Sequence, residues 1–164
     1  MKFAMRMMVA TLAGALPQVA RATDDSALLA PLQHLVEAIN HAEPKPPAGV
    51  FTDDAVVLDD FAPYRWSGTG NADSWYKDLV GQTKQAHSDF LAMKGKLSIG
   101  APKFSRITTD TAYFVVPGLF LFNTDPKTRI RQTSQWIVSE RLVHGHWLIA
   151  GHAWAITSET PASK

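Results

Sequence analysis

No cysteine occurs in the 164 residues, so the chain has no disulfide framework and no thiol chemistry. Charge of one sign is also missing. The formal net charge is +1 and 19% of residues are charged, which gives no basic surplus for nucleic acid. Long apolar runs are absent too: the stretch from Met7 to Leu16 is too short to hold a membrane anchor. Neither an internal repeat nor an interdomain linker is visible, and low-complexity and collagen-like classes are excluded by composition. Three catalytic signatures are lacking: a Ser-His-Asp order, a glycine-rich phosphate loop and a nucleophile elbow. Gly68-Thr69-Gly70 is too short to cradle a phosphate and reads as a turn.

What is present begins with a leader. Lys2 and Arg6 precede the apolar stretch, Pro17 interrupts it, and Ala20-Arg21-Ala22 places small residues where a signal peptidase reads them. Residues 1–22 are therefore expected to be a signal peptide cleaved after Ala22, making the protein periplasmic or secreted and of bacterial type. Of the 16 Lys and Arg residues, Lys2, Arg6 and Arg21 leave with it; the remaining 13 face 15 acidic residues, a net charge of −2. The remainder, 23–164, has the size of one domain able to bury a core by packing alone.

Within that domain, Leu28, Leu32, Leu35, Val36 and Ile39 recur at three- and four-residue spacing and predict a helix, begun by Asp24, Asp25 or Ser26 and ended before Pro44. Pro31 is expected in its first turn. Ala55 to Asp60 reads as a strand and Pro63 to Ser67 as a second, short one. Asn71 is expected to cap a helix reaching about His87, with Trp75, Leu79 and Tyr76 inward. Four long strands follow, Leu97 to Ile107, Thr111 to Phe122, Ile130 to Val143 and Trp147 to Thr157, joined by turn-type sequences short enough for hairpins. Helices followed by a long meander define an α+β class. The expected architecture is a cone-shaped α+β barrel, a strongly curved antiparallel sheet closed by the N-terminal helices. Such an interior is either filled with side chains or holds a ligand.

Strand alternation nominates site residues. Asp59 shares a strand face with Val57 and Ala55, whose apolar surroundings would raise its pKa and suit it to remove a proton beside a carbonyl; Asp60 should face outward. On the last strand His152 and Trp154 share a face, so His152 is a candidate acid–base partner for Asp59. The structural alternative for His152 is a place in a buried hydrogen-bond network. Tyr64, Trp66, Trp75, Tyr76, Tyr113 and Trp136 are core or pocket aromatics. Trp136, Val138 and Glu140 lie on the opposite strand face from Gln135 and Ile137. They are assigned to the outer, dimer-forming face, which puts Gln135 and Ile137 in the pocket. His144 and His146 flank Gly145 without further ligands nearby, so no metal site is expected. Lys127 to Arg131 places alternating charges on a solvated face.

Three stretches carry a family resemblance. They are Phe51-Thr52-Asp53-Asp54-Ala55-Val56-Val57-Leu58-Asp59 with Ser67-Gly68 and Trp75-Tyr76, Asp110 to Pro117, and Gly145 to Ala150 through Ala153-Trp154-Ala155. In this order they resemble the nuclear transport factor 2-like superfamily and, within it, the SnoaL-like proteins. Ketosteroid isomerases, polyketide cyclases, limonene-epoxide hydrolase and scytalone dehydratase share that superfamily. The resemblance places Asp59 at the isomerases' proton-shuttling aspartate and Trp154 at a pocket aromatic. It does not carry over the enolate-stabilising donors, whose positions fall at Leu35 and near Ile137, so the dominant catalytic contribution of those enzymes is missing.

The resulting expectation is an exported pocket protein binding a small, largely apolar or aromatic molecule. Its pocket would be lined by Val57, Tyr64, Trp66, Trp75, Tyr76, Gln135, Ile137 and Trp154, with no cofactor, metal, nucleic acid or membrane anchor. A homodimer through the sheet is expected. Two alternatives stand beside it: a lyase, isomerase or cyclase using Asp59 as base with His152, and an interaction module using the outer sheet face.

Overall fold

The computed structural model describes residues 25–81, 90 and 92–162. The expected signal peptide and its cleavage site lie outside these residues. So does the expected end of the second helix near His87.

In chain order the elements are α1 (Asp25–Asn40), β1 (Phe51–Leu58), β2 (Arg65–Trp66), α2 (Asn71–Leu79), β3 (Lys96–Ile99), β4 (Phe104–Ile107), β5 (Thr111–Asn123), β6 (Arg129–Val143) and β7 (His146–Pro161). Helix α1 forms on its predicted apolar stripe: Leu28, Leu32, Leu35 and Ile39 are buried while Gln33, His34 and Glu37 face solvent. Pro31 lies inside the helix, not in its first turn. The missing N–H leaves only the carbonyl of exposed Ala27 without its helical donor, which water can satisfy. The helix ends where Asn40 pairs with β3, its Nδ2 donating to the Leu97 carbonyl at 2.9 Å and its Oδ1 accepting from the Leu97 N–H at 2.8 Å. Helix α2 is capped by Gly70 in a left-handed conformation (φ 73°), a backbone that glycine adopts without strain. Asn71 does not cap it. Its side chain turns back to donate to the Ser67 carbonyl.

The strands form one mixed, curved sheet in the order β2-β1-β7-β6-β5-β3, with β4 also on β5. The expected closed antiparallel barrel is not what forms. β1 pairs in parallel with β7, Val57 beside His152, and the sheet ends in free edges at β2 and at β3 and β4. Chain order permits the parallel pairing, since β1 and β7 are joined through the whole domain and not by a hairpin.

The long strand expected from Leu97 to Ile107 is two strands. Gly100-Ala101-Pro102 interrupts it, and both halves pair with the same edge of β5, β3 at Gly118–Leu121 and β4 at Ala112–Val115. Pro117 sits in β5 at that gap, where its carbonyl accepts from Gly100 N–H at 2.9 Å. In an extended strand the N–H and C=O of one residue point to the same side. The absent N–H of Pro117 would therefore face the interruption, where no ladder bond is lost. The central hairpins β5–β6 and β6–β7 keep the predicted turns, and the core gathers α1, α2 and one sheet face around Trp75, Trp136, Phe114, Val116 and Val138.

Candidate functional site

Between the helices and the sheet lies a cavity of about 220 Å³. Asp59 and Asp60 reach it from just beyond β1, and Phe61 follows them. Trp75 and Leu79 come from α2, Ile39 from α1, Leu97 from β3, and Phe120 and Phe122 from β5. Gln132 and Trp136 belong to β6, Trp154 and Glu159 to β7, and Phe90 and Met93 to the segment before β3. The walls are thus mainly aromatic and aliphatic, with a few polar groups, the make-up of a small-molecule site.

Asp59 is a half-buried carboxyl group in the wall of this cavity. One carboxylate oxygen accepts the indole N–H of Trp75 at 2.7 Å and the other accepts the Asp60 backbone N–H at 2.8 Å. Burial pushes its pKa up to about 7, and the adjoining Asp60 carboxyl adds to the rise; the Trp75 bond opposes it. The period-2 continuation of β1 explains the placement, for Ala55 and Val57 are buried on the same side. Asp60 does not turn fully away. It is exposed, yet it lines the cavity mouth beside Asp59, because the chain leaves the strand at Leu58 and turns toward Tyr64.

His152 occupies a different position from the one expected of a proton partner. It is buried and is not among the residues lining the cavity. Its Nδ1 accepts the indole N–H of Trp136 at 2.9 Å, and its ring packs edge-on against Trp75 at 4.6 Å and stacks on Phe51 at 6.0 Å. Trp75 therefore touches both His152 and Asp59. Burial pushes the imidazole pKa down to about 3, and the acceptor role of Nδ1 places its proton on Nε2, which has no hydrogen-bond partner. A neutral ring bonded to Trp136 fixes the cavity wall from behind, which is the buried-network alternative of the sequence reading.

Of the other nominated residues, Trp75 and Trp154 line the cavity. Val57, Trp66 and Tyr76 are buried in the core, and Tyr64 is 62% exposed. Gln135 and Ile137 lie on the outer sheet face, whereas Trp136, Val138 and Glu140 are buried inward, the reverse of the expected assignment. The inward face of β6 carries Gln132, Ser134 and Glu140 as well as Trp136, so hydropathy could not orient that strand. These polar residues have reasons to be there. Gln132 accepts the Trp154 indole N–H at 2.9 Å through Oε1 and donates to Glu159 at 2.7 Å through Nε2. Sequence reasoning missed this Trp154–Gln132–Glu159 chain and the Phe90, Phe120 and Phe122 wall. The alternation of Gln132 with Trp136, and of Phe120 with Phe122, was the available signal.

Trp154 is seated on Gly118. A Cβ there would lie 2.6 and 2.7 Å from the Trp154 ring and collide with Ser134 Oγ. Side chains closer than van der Waals contact must move, so a larger residue at 118 would shift a ring that forms part of the cavity wall.

No protein-family model matches the chain, and no curated protein matches its sequence. Solved structures match its fold. The hexachlorocyclohexane dehydrochlorinase LinA-type3 from Novosphingobium barchaimii is 13% identical with a TM-score of 0.67, the alignment covering 85% of this chain and 90% of that one. An NTF2-like protein with a cystatin-like fold from Novosphingobium aromaticivorans is 12% identical with a TM-score of 0.64, covering 82% of each chain. A domain of unknown function with a cystatin-like fold from Nostoc punctiforme is 15% identical with a TM-score of 0.62, covering 84% of this chain and 79% of that one. The fold is thus that of the nuclear transport factor 2-like, cystatin-like proteins, in agreement with the resemblance read from the sequence.

Proposed function

We propose that the protein binds a small, largely apolar molecule in the cavity between its helices and sheet. The carrying observation is the cavity itself, about 220 Å³ and walled by Phe61, Trp75, Phe90, Phe120, Trp136 and Trp154, with the half-buried carboxyl group of Asp59 among them. An interaction module working only through its outer sheet face would have no use for this interior space. Residues 1–22 act as an export signal in this reading, and a homodimer forms through the outer face that carries Val115, Gln135 and Ile137.

The test is a titration of the protein with naphthalen-1-ylmethanol, followed by tryptophan fluorescence, since three indoles line the site. Saturable quenching is expected. Gly118→Ala is expected to weaken binding, because the methyl group displaces the Trp154 ring that walls the cavity. Absence of saturable binding by this probe and by its amine and carboxylate analogues, or equal affinity in the variant, overturns the reading.

A second reading is favoured by one specific observation, the carboxyl of Asp59 held in an apolar cavity with a pKa near 7. Such a group can accept a proton from carbon near neutral pH, as a lyase, isomerase or cyclase requires. One of the fold neighbours is a dehydrochlorinase, an enzyme of that broad kind. In this reading His152 orients Trp136 and supports Trp75, and Asp59 alone moves the proton. Deuterium uptake from solvent into 2-tetralone, next to its carbonyl, tests it.

A further inference from the structure

The polar groups of the cavity are one-sided. The indole N–H groups of Trp75, Trp136 and Trp154 all donate within the protein, to Asp59, His152 and Gln132. The carboxyl groups of Asp59, Asp60 and Glu159 line the same space, and no Lys, Arg or His does so among the described residues. Glu159 takes one hydrogen bond from Gln132 through Oε1, which leaves Oε2 as a further acceptor. Apart from the second amide hydrogen of Gln132, the lining side chains thus offer carboxylate oxygens and aromatic faces. A ligand that brings hydrogen-bond donors or positive charge matches them best.

We infer that the ligand of this cavity is an apolar organic amine in its ammonium form, its hydrocarbon part against the aromatic walls and its charge toward the carboxyl groups that line them. This rests on the ligand-binding reading and names the ligand class. Two physical effects act together in it. An ammonium over an aromatic face is attracted by the ring quadrupole, and the attraction grows when water is excluded. Carboxylates at the rim add charge-assisted hydrogen bonds, stronger than neutral ones. An ammonium in the cavity would also favour the ionised form of Asp59, which burial alone disfavours. An anionic ligand meets the opposite situation, with three carboxyl groups and no free indole donor. A neutral alcohol of the same shape gains the apolar contacts only.

Isothermal titration calorimetry on the whole protein with three probes of one shape tests this: naphthalen-1-ylmethylamine, naphthalen-1-ylmethanol and 1-naphthoate. The amine is expected to bind at least tenfold more tightly than the alcohol, and the carboxylate at least tenfold more weakly than the alcohol. In Glu159→Gln the amine-to-alcohol ratio is expected to fall about threefold, and in Asp60→Asn likewise. Both residues are exposed, so circular dichroism is expected to report a folded variant in each case. Alcohol binding equal to or tighter than amine binding overturns the inference and leaves the apolar-ligand reading standing. Failure of all three probes overturns both. An unchanged ratio in both variants assigns any amine preference to the aromatic walls and overturns the role given to the carboxylates.

Discussion

Replacing Glu140 by glutamine is expected to remove most of the pH dependence of stability between about pH 4.5 and 8. Glu140 sits inward on β6, 1% exposed, between Ala112 of β5 and Ile149 of β7, and neither carboxyl oxygen has a hydrogen-bond partner. Burial alone pushes its pKa from 4.5 up to about 8. The folded chain therefore keeps this proton up to pH 8, whereas the unfolded chain loses it above about 4.5. Unfolding releases a proton in that window, so stability falls as pH rises, by about 1.4 kcal/mol per pH unit.

Asp59 behaves the same way between 3.8 and about 7, and His152, held neutral by burial, behaves oppositely between about 3 and 6.5. From pH 4.5 to 6.5 the Asp59 and His152 contributions cancel, which leaves Glu140 to set the slope. Urea denaturation at half-unit steps from pH 5 to 8 is expected to show a steep decline for the parent and a nearly flat profile for Glu140→Gln. The difference should grow to several kcal/mol, at most about 5, by pH 8. Glu140→Met conserves volume without polar atoms and should be equally flat and more stable throughout, since it leaves no unsatisfied group. Parallel profiles for parent and both variants would remove Glu140 as the source.

How much of this was legible beforehand depended on whether a residue's pattern was local. The stripe of α1, the strand read at Ala55–Asp60 and the hairpin turns are each set by neighbours a few residues apart; the structure places the stripe and the turns as read, and the strand four residues earlier at its start and two at its end. Asp59 turned inward because alternation with Ala55 and Val57 is also a local property. The parallel pairing of β1 with β7 was not legible, since no local pattern encodes which distant strand lies alongside. The face of β6 was inverted for a related reason. Gln132 and Glu140 look like surface residues, and only Trp154 and Glu159, some twenty residues on, make the first of them at home in the interior. His152 was expected to be a reactive imidazole. The burial that depresses its pKa comes from Trp75, Trp136 and Phe51, which belong to three other elements.

Asp59→Asn separates the two readings of the cavity. If Asp59 accepts a proton from carbon, the parent is expected to speed deuterium uptake into 2-tetralone. The rate should rise with pH and level off above about 7, where the carboxylate form is complete. Positioned general-base catalysis supplies about 10²–10⁴-fold. The larger contribution of donors aimed at a developing oxyanion is not available here, because the cavity's indoles are already engaged. The acceleration should therefore stay within that range, and Asp59→Asn should bring uptake to the buffer rate at every pH. The asparagine still accepts from Trp75 through its amide oxygen, but its NH₂ then faces the Asp60 N–H, so one hydrogen bond is lost. Even so, the variant should gain stability relative to the parent above pH 7, since the parent must hold an ionised carboxylate in an apolar site. A variant that is more stable at pH 8 and silent in exchange marks a residue kept for proton transfer at a cost in stability. A variant that gains stability while the parent itself shows no exchange leaves Asp59 as a recognition group, and the protein as a binder.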